Sequence, residues 1–482
     1  MCGAHDRAGC ADLNEDGIGD QGSGIGDQGS GIGDPKILAT ELRKRLPDPT
    51  SLITTTMSRI LLFSTTTGYQ LRSFNDAAAR LGIDLVFATD RCHTLDDPWQ
   101  DAALPVRFHE EDDSLDVIVS AARERPFDGV LAVGDRPAML AARAAQALKL
   151  PGNSPEAVLA ASSKLGSRER FAAAGLTTPW FLAVPEHARA HAFAQDARLR
   201  YPCVVKPTSL SGSRGVIRAD GPQQCAAAID RIRALLARPA IRALRHPGGQ
   251  QIIVEGFIEG REYAVEGVLS GGSVRSLAIF DKPDPLDGPF FEETIYVTPP
   301  PLGEAERQVI VATVQQAVEA LGLHHGAVHA ECRVNARDVV MLEIAPRPIG
   351  GLCSRVLRFA HGGPSDDRIS LEELLLRHSR GEDLGGWERE RDAAAVMMIP
   401  IPRRGLLKDV AGEQSARAVR YVEDVRITAK RDQVLEPLPE AGSYLGFIFA
   451  RAPLAREAEE AVRQAHRCLA FAIDPAIAVT RV

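Results

Sequence analysis

Three short apolar runs in the first third of the chain predict buried strands: residues 60–63, 85–88 and 129–133. Helical periodicity separates them, and strands that alternate with helices predict a small, doubly wound parallel sheet. Ligands of such sheets bind at the carboxyl ends of the strands. Two polar turns lie there, residues 64–68 and the pair Gly134-Asp135. The chain therefore predicts an α/β fold, in which the turn at 64–68 either contacts a ligand or is only a polar turn.

A lysine and a loop of small residues mark the next stretch. After a helix cap at 154–156, strand 203–206 carries Lys206 and runs into residues 209–215, which are Ser, Leu, Gly and Arg. Backbone N–H groups of such a loop can form an anion nest, with the lysine as a point charge on phosphates. A surface hairpin with one lysine explains the same pattern.

An interrupted strand pair follows. Strand 252–255 breaks at Gly256, the chain turns at 259–260, and a strand resumes at 263–268. A backbone that stops pairing between two strands exposes N–H and C=O groups, which suit the edge of a heterocycle such as adenine.

Two glutamates occupy a predicted buried hairpin. If the turn centres on Arg337, Val334 lies opposite Val340 and Glu331 lies opposite Glu343, with Cβ atoms roughly 5 Å apart. Ionised carboxylates this close call for a shared proton or a cation, and an all-oxygen set suits magnesium. An exposed hairpin edge with two solvated glutamates is the alternative.

Composition narrows the class of protein. The 482 residues predict about three domains, and the net charge of −8 argues against nucleic acid as a partner. The arginine-rich stretch at 231–246 has helical spacing and predicts a solvated helix face. Eight scattered cysteines predict reduced thiols, and neither a signal segment nor a membrane helix is evident in the sequence. We therefore expect a cytoplasmic protein without a membrane partner.

A glycine-rich repeat lies near the N-terminus, where GIGDQGS occurs twice within residues 17–34. Its seven-residue period differs from the nine-residue period of calcium-binding repeats. We predict that residues 1–56 are a disordered, dispensable tail and that Met57 is a candidate start.

Taken in order, four motifs resemble those of the ATP-grasp superfamily: Lys164 on a helix, V-V-K-P with its loop at 204–215, E-G-F-I-E-G-R-E at 255–262, and the hairpin that ends E-I-A-P-R-P-I-G-G at 343–351. The resemblance covers about residues 57–390. It implies a parallel-sheet domain at 57–155, an ATP-grasp domain at 156–390 with a lid at about 180–254, and a C-terminal α/β cap at 391–482 that includes a helix at 454–472.

The resemblance also implies roles for individual residues. Lys164 and Lys206 match the lysines that hold ATP phosphates, and Glu262 matches the acid that binds ribose. The implied ATP-binding set is Lys164, Lys206, Ser209, Ser211, Gly212, Ser213, Glu255, Gly256, Phe257, Ile258 and Glu262. Glu331 and Glu343 match the ligands of Mg²⁺ or Mn²⁺, with two ions expected. Many members place a metal-binding Asn where this chain has Ala345, which leaves one ligand unassigned.

The residues after the second glutamate resemble the L-amino acid ligase and carboxylate–amine ligase branch. This resemblance implies that Arg347, Lys206 and Glu293 are catalytic. It implies that the substrates contact Glu293, Tyr296, Arg347, Gly350 and Gly351. For Glu293 and Tyr296, ordinary polar loop residues remain an equal alternative.

The implied reaction joins a small-molecule carboxylate to an amine through an acyl phosphate, giving an amide or dipeptide with ADP and phosphate. The alternatives are a biotin carboxylase-like enzyme, a phosphotransferase and a non-catalytic nucleotide-binding module. A homodimer is left open.

Overall fold

The computed structural model describes residues 57–65, 70–90, 103–246, 248–362 and 367–475. Residues Met57–Val482 form one compact unit. The predicted tail at 1–56 and residues 66–68 of the polar turn lie outside the described residues, so the predictions about them stay predictions.

The first part of the chain forms the predicted parallel sheet. Its elements are β1 (Arg59–Ser64), α1 (Leu71–Leu81), β2 (Asp84–Thr89), β3 (Leu104–Pro105), α2 (Glu111–Glu124), β4 (Gly129–Val133) and α3 (Asp135–Leu148). The strand order is β3-β2-β1-β4, and all pairs are parallel. Strand β1 is apolar along its length because both of its faces are buried: Ile60 and Leu62 pack in one cluster, and Leu61 and Phe63 in another. Asp135 lies at the carboxyl edge, as predicted.

The next part contains the segment predicted as the lid, residues 180–254. Its elements and the two helices before it are α4 (Pro155–Ser162), α5 (Lys164–Ala173), β5 (Phe181–Val184), α6 (Ala190–Phe193), β6 (Cys203–Pro207), β7 (Ile217–Ala219), α7 (Pro222–Leu236), α8 (Pro239–Arg242) and β8 (Ile252–Gly256). The antiparallel strands have the order β5-β8-β6-β7. Helix α7 covers one face of this sheet, where Ile229 and Ile232 join Val205 and Val254 in a buried cluster.

The remaining elements build the central sheet and the C-terminal part. They are β9 (Arg261–Ser270), β10 (Ser273–Asp281), β11 (Ile295–Thr298), α9 (Glu304–Leu321), β12 (Gly326–Val334), β13 (Val339–Ala345), a 3-10 helix (Cys353–Val356), β14 (Arg358–His361), β15 (Ile369–Ser370), α10 (Leu371–Ser379), β16 (Trp387–Arg389), β17 (Ala393–Ile399), β18 (Gly405–Ala411), α11 (Glu413–Arg417), β19 (Val422–Ile427), β20 (Val434–Leu435), β21 (Gly446–Ala452), α12 (Ala455–Cys468) and β22 (Ala470–Asp474).

Eight antiparallel strands form the central sheet in the order β13-β12-β9-β10-β11-β17-β21-β19. On β12, Val328, Ala330 and Cys332 pack in a buried cluster with residues of α9. Since side chains alternate along a strand, the other face of β12 presents His329, Glu331 and Arg333 away from that helix. The strand therefore separates an apolar face from a charged one.

The hairpin of β12 and β13 places Glu331 opposite Glu343, as predicted, although the predicted register nearer the turn is wrong. Val334 pairs with Val339 rather than Val340, and the register shifts between Cys332 and Glu331. The side chain of Asn335 accepts hydrogen bonds from two backbone N–H groups of the turn, which centres it earlier than expected. A β-bulge then restores the pairing of the two glutamates.

The C-terminal part continues the central sheet, because β11 pairs with β17 and β17 pairs with β21. The helix expected at 454–472 ends at Cys468 instead, since residues 470–474 form β22 and pair with β18. The alternation of exposed and buried residues in this segment has the period of a strand. The domain limits at 155 and 390 stay predictions. No helix among the described residues is both long and apolar enough to cross a membrane.

Candidate functional site

A cavity of about 340 Å³ lies where the first sheet, the lid and the central sheet meet. Every predicted site residue except Ser209 lines it: Lys164, Lys206, Ser211, Gly212, Ser213, Glu255, Gly256, Phe257, Ile258, Glu262, Glu293, Tyr296, Glu331, Glu343, Arg347, Gly350 and Gly351. Asp135, at the carboxyl edge of the parallel sheet, lines the cavity too. Residues that are far apart in the sequence thus converge on one space.

The small-residue loop of the lid lies over this cavity. Gly212, Ser213 and Gly215 have positive φ angles of 64°, 56° and 71°, a conformation that glycine adopts without steric cost. A Cβ atom on Gly215 would lie 3.0 Å from Pro207, so a larger residue does not fit there. The loop is tied to the helix before the lid, because Lys164 Nζ donates a hydrogen bond to the backbone oxygen of Leu210 at 2.8 Å.

A buried group of three charged residues lies at the lid's base. Lys206 Nζ is 2.5 Å from Glu255 Oε1, and the guanidinium of Arg168 donates to both oxygens of Glu255 at 2.8 and 3.2 Å. Burial raises the pKa of Glu255, but Arg168 and Lys206 outweigh burial and lower this pKa to about 2. Burial is the main reason that the pKa of Lys206 is lowered to about 8; Glu255 opposes this shift, and Arg168 and Lys164 add to it. The predicted adenine-hinge acid is therefore an ionised partner of two cations.

A second buried group surrounds Lys282, which is 4% exposed. Its Nζ lies 2.7 Å from Glu262, 2.7 Å from Glu293 and 2.9 Å from Glu331. Although burial disfavours the ammonium, these carboxylates raise the pKa of Lys282 well above its usual value. Burial raises the pKa of Glu293 to about 7, although Lys282 opposes the shift. One lysine thus joins the residues predicted for ribose, metal and substrate.

Histidine 329 links the metal-binding strand to a further buried carboxylate. Its Nδ1 lies 3.1 Å from Glu266 and its Nε2 lies 3.4 Å from Glu331. Burial favours the neutral ring, yet the hydrogen bonds to both carboxylates raise the pKa of His329 to about 9. Glu266 also accepts a hydrogen bond from the backbone N–H of Ile349, which fixes the start of the glycine pair at 350–351. The histidine is a charged neighbour of the predicted metal ligand.

The predicted catalytic arginine and the second predicted metal ligand have partners from other parts of the chain. Arg347 Nε donates to Asp135 at 2.6 Å, and Lys164 Nζ lies 3.0 Å from Glu343. Burial raises the pKa of Asp135, but the Arg347 guanidinium and a hydrogen bond from Ser211 outweigh burial and lower this pKa. Asp135, at the edge of the first sheet, thereby contacts both Arg347 at the end of the central hairpin and Ser211 of the lid loop.

Carboxylate oxygens suitable for a divalent cation are present. Oxygens of Glu262, Glu293 and Glu331 lie within 4.8 Å of one another, and Glu343 faces the same cavity. Hard oxygen donors of this kind suit Mg²⁺. The ammonium of Lys282 already lies among Glu262, Glu293 and Glu331, so the donors that fit the predicted metal are those of the predicted pair, Glu331 and Glu343.

Sequence reasoning missed four residues that organise the site: Arg168, Glu266, Lys282 and Arg333. Asp281 and Lys282 follow the apolar run at 277–280, and charges at the end of a buried strand are a usable signal. Arg168 shares a helix face with Lys164 and Phe171. Arg333 lies on the face of β12 that carries Glu331, and it donates to Glu262 and to the backbone oxygen of Ile258.

Three family models match the chain. An ATP-grasp N-terminal domain matches residues 75–152, an ATP-grasp domain matches residues 199–356, and an L-amino acid ligase C-terminal domain 2 matches residues 397–474. Together they cover the first sheet after β1, most of the lid with the central hairpin, and the C-terminal strands from within β17 to β22.

Known proteins show the same similarity. An alanine–anticapsin ligase of Bacillus amyloliquefaciens is 29% identical over 166 residues, which are 31% of this chain and 34% of the ligase. Dapdiamide A synthase of Enterobacter agglomerans is 26% identical over 211 residues, 42% of this chain and 47% of the synthase. The chain spans less than two thirds of the length of the curated relatives it matches.

The crystal structure of an L-amino acid ligase from Bacillus licheniformis superimposes with a TM-score of 0.73 at 27% identity, covering 86% of this chain and 99% of that one. A phosphoribosylglycinamide synthetase from Anaerococcus prevotii, at 16% identity and a TM-score of 0.59, shares the fold. These matches confirm the fold class predicted from the sequence.

Proposed function

Because the chain belongs to the ATP-grasp superfamily and carries the C-terminal domain of its L-amino acid ligases, we propose that it is an ATP-dependent carboxylate–amine ligase. The products are an amide or dipeptide, ADP and phosphate. The observation that carries the proposal is the convergence on one cavity of two lysines, two facing glutamates and Arg347, next to strands of the matched C-terminal domain.

The adenine subsite of this proposal lies between apolar groups of the lid and the central sheet. Val204, Val216 and Leu342 line it together with the hinge at 256–258. Phe257 stacks on Phe291 with ring centroids 6.4 Å apart, so the hinge has a fixed position. The N–H groups of Gly256 and Phe257 and the C=O of Ile258 already have protein partners, so we propose that the edge of the adenine ring contacts the other backbone groups of the hinge.

The phosphates are placed between Lys164, Lys206 and the loop at 211–213. Glu331 and Glu343 are the residues that would hold Mg²⁺ there, and the metal would neutralise the charge on the transferred phosphate. Because the pKa of Lys206, about 8, lies above neutral pH, most of its side chain is cationic at neutral pH. The proposal also includes two metal ions and the choice of Mg²⁺ over Mn²⁺. It further includes a homodimer and a cytoplasmic location.

The reaction has two steps. The substrate carboxylate attacks the γ-phosphate of ATP, which gives an acyl phosphate and ADP, while Lys206 and Arg347 stabilise the developing charge. The amine then attacks the acyl carbon and phosphate leaves. An amine that arrives as an ammonium ion must lose a proton first, and Glu293 suits that role because its pKa is raised to about 7. Its neighbour Tyr296 donates a hydrogen bond to Glu293 at 2.9 Å and holds it in place.

The ligase is favoured over the other enzymes of this fold by the C-terminal match. Biotin carboxylase structures superimpose at 16 and 18% identity, which is a likeness of fold. The C-terminal domain model is that of L-amino acid ligases and lies against the cavity, where Met398, Tyr444 and Phe447 form part of the wall.

The test is a screen of amino acids and small carboxylates, in pairs, for ADP release and for a product mass that equals the two substrates minus water. Each compound alone and the Glu343→Gln variant serve as controls. The proposal predicts ADP release that depends on both members of a pair. ADP release that requires bicarbonate and biotin, or ATP binding without any turnover, would contradict it.

A further inference from the structure

A segment of the C-terminal part, residues 436–444, lies between the lid and the cavity. The backbone N–H of Gly215 in the lid loop donates to the backbone oxygen of Pro439 at 2.8 Å. A Cβ atom on Gly442 would lie 2.7 Å from the side chain of Arg214 and 3.3 Å from the backbone oxygen of Gly212. The absence of a side chain at Gly442 therefore permits the lid loop to pack directly on this segment.

Two ion pairs join the same segment to the helical side of the lid. The guanidinium of Arg231 makes a two-point contact with Glu440, at 2.5 and 2.9 Å, and Arg238 donates to Glu436 at 2.7 Å. Arg231 also lies over the ring of Phe290, 5.0 Å from its centroid. These arginines belong to the stretch expected to form a solvated helix face; Arg231 is exposed, as expected, and both arginines also pair with carboxylates of the C-terminal segment.

The other end of the segment reaches the cavity. Gly442, Ser443 and Tyr444 line it, and Tyr444 packs edge-on against Phe447 with ring centroids 6.1 Å apart. Phe447 in turn lies against Gly351, where a Cβ atom would be 3.1 Å from the ring. The segment thus contacts the lid with its first residues and the predicted substrate end of the cavity with its last.

We propose that residues 436–444 act as a latch that holds the lid closed while the acyl phosphate awaits the amine, with Glu436 and Glu440 as positioning residues. The inference rests on the proposed function, since a reactive acyl phosphate needs protection from water. One short segment then links two events: the binding of a substrate beside Tyr444 and the closure of the lid over ATP. Neither glutamate touches the reacting atoms.

Loss of one pair is expected to weaken closure without abolishing it. A partly exposed ion pair contributes modestly, so Glu440→Gln should increase the open fraction of the lid by about two- to fivefold. More acyl phosphate should then hydrolyse. The measured consequence is a rise of about two- to fivefold in ADP released without amide, with a smaller change in the rate of ATP cleavage.

The experiment compares the full-length protein with Glu440→Gln, Arg231→Gln and the charge-reversed double variant Arg231→Glu/Glu440→Arg. The matched control is Glu460→Gln, which removes an exposed ion pair to Arg467 of 2.6 Å on α12. The ratio of ADP to amide is measured, and hydrogen exchange of residues 209–215 is followed with ADP and Mg²⁺ present.

The latch predicts a higher ADP-to-amide ratio and faster exchange in both single variants, recovery in the double variant, and no change in the control. Wild-type coupling and exchange in Glu440→Gln would overturn the latch and leave the ligase intact. If no acid–amine pair yields an amide, the proposed function fails, and the exchange measurement alone decides whether the segment holds the lid.

Discussion

Glu331 and Glu343 face each other across the central hairpin, and each is paired with a different lysine: Glu331 with Lys282 at 2.9 Å and Glu343 with Lys164 at 3.0 Å. The two lysines come from separate parts of the chain, one from the end of a central strand and one from the helix before the lid. Each carboxylate thus faces a cation of its own, and for Glu331 the ammonium of Lys282 and the ring of His329 outweigh burial and lower the pKa of the carboxyl well below its usual value.

Replacement of Glu343 tests the metal assignment. Glu343→Gln keeps the shape of the side chain but removes the charge that would hold a divalent ion, so turnover should fall by at least about 100-fold. Retention of Mn²⁺ in the presence of ADP, followed by equilibrium dialysis, should fall with it, whereas the melting temperature should change little. The control is Glu388→Gln on the exposed side of a short edge strand. Near-normal turnover with unchanged Mn²⁺ retention would contradict the assignment.

Removal of Lys282 tests the buried carboxylate group. Lys282→Met leaves three acidic groups without their common cation, and breaking a buried charge group of this kind costs about 3–5 kcal/mol of unfolding free energy. Lys282 lowers the pKa of Glu293 and Glu331 against the effect of burial, so without it the folded-state pKa values of these two carboxyls should rise and the folded form of the variant should gain stability as pH falls. The loss relative to the wild type, measured by chemical denaturation, should therefore be smaller at about pH 5 than at about pH 8. An equal loss at both would show that the carboxylates do not depend on Lys282.

The pH dependence of ATP use follows from Lys206. Burial lowers its pKa to about 8, so the free enzyme loses this cation as pH rises through about 8. The value of kcat/KM for ATP, which reports groups of the free enzyme, should fall over that range. In Lys206→Arg the guanidinium stays charged and the alkaline decline should disappear, even if the rate is lower. A decline that persists in Lys206→Arg would assign it to another group.

A residue of this site could be predicted from the sequence where the pattern that indicates its role lies within a short stretch of the chain. The glutamate pair, the lid loop and the hinge were predicted because strand alternation, small residues and an interrupted strand are all visible within about ten neighbouring positions. Arg168 was missed because its partner Glu255 lies 87 positions later. Lys282 was missed because its three partners, 11 to 49 positions away, come from three different segments. A charge inside an apolar stretch predicts that a partner exists and does not say which one.

The hairpin and the C-terminal part show a second limit. The predicted centre of the turn, at Arg337, lies half a residue too late in the chain. The β-bulge between Glu331 and Cys332 compensates for this error, so the predicted pairing of Glu331 with Glu343 is still correct. Bulges have no strong sequence signature, so register beyond a turn is poorly fixed by the sequence. The C-terminal strands were expected to form a small α/β cap, and the pairing of these strands with the central sheet was not foreseen.

Arg168 provides a prediction that links stability to the pH profile. Arg168→Met removes both hydrogen bonds to Glu255 and those to the backbone oxygens of Met341 and Leu342, so the unfolding free energy should fall by about 3–5 kcal/mol. Because Arg168 also helps lower the pKa of Lys206, the alkaline decline in kcat/KM for ATP should move to higher pH. An unmoved decline in a folded variant would contradict the electrostatic coupling.

The central claim is that a substrate carboxylate is phosphorylated by ATP before the amine attacks. The most direct measurement uses an acid labelled with a heavy oxygen isotope in its carboxylate, together with an accepted amine, ATP and Mg²⁺. The account predicts one labelled oxygen in the released phosphate for each amide formed. Label found in AMP, or phosphate without label while amide accumulates, would contradict it.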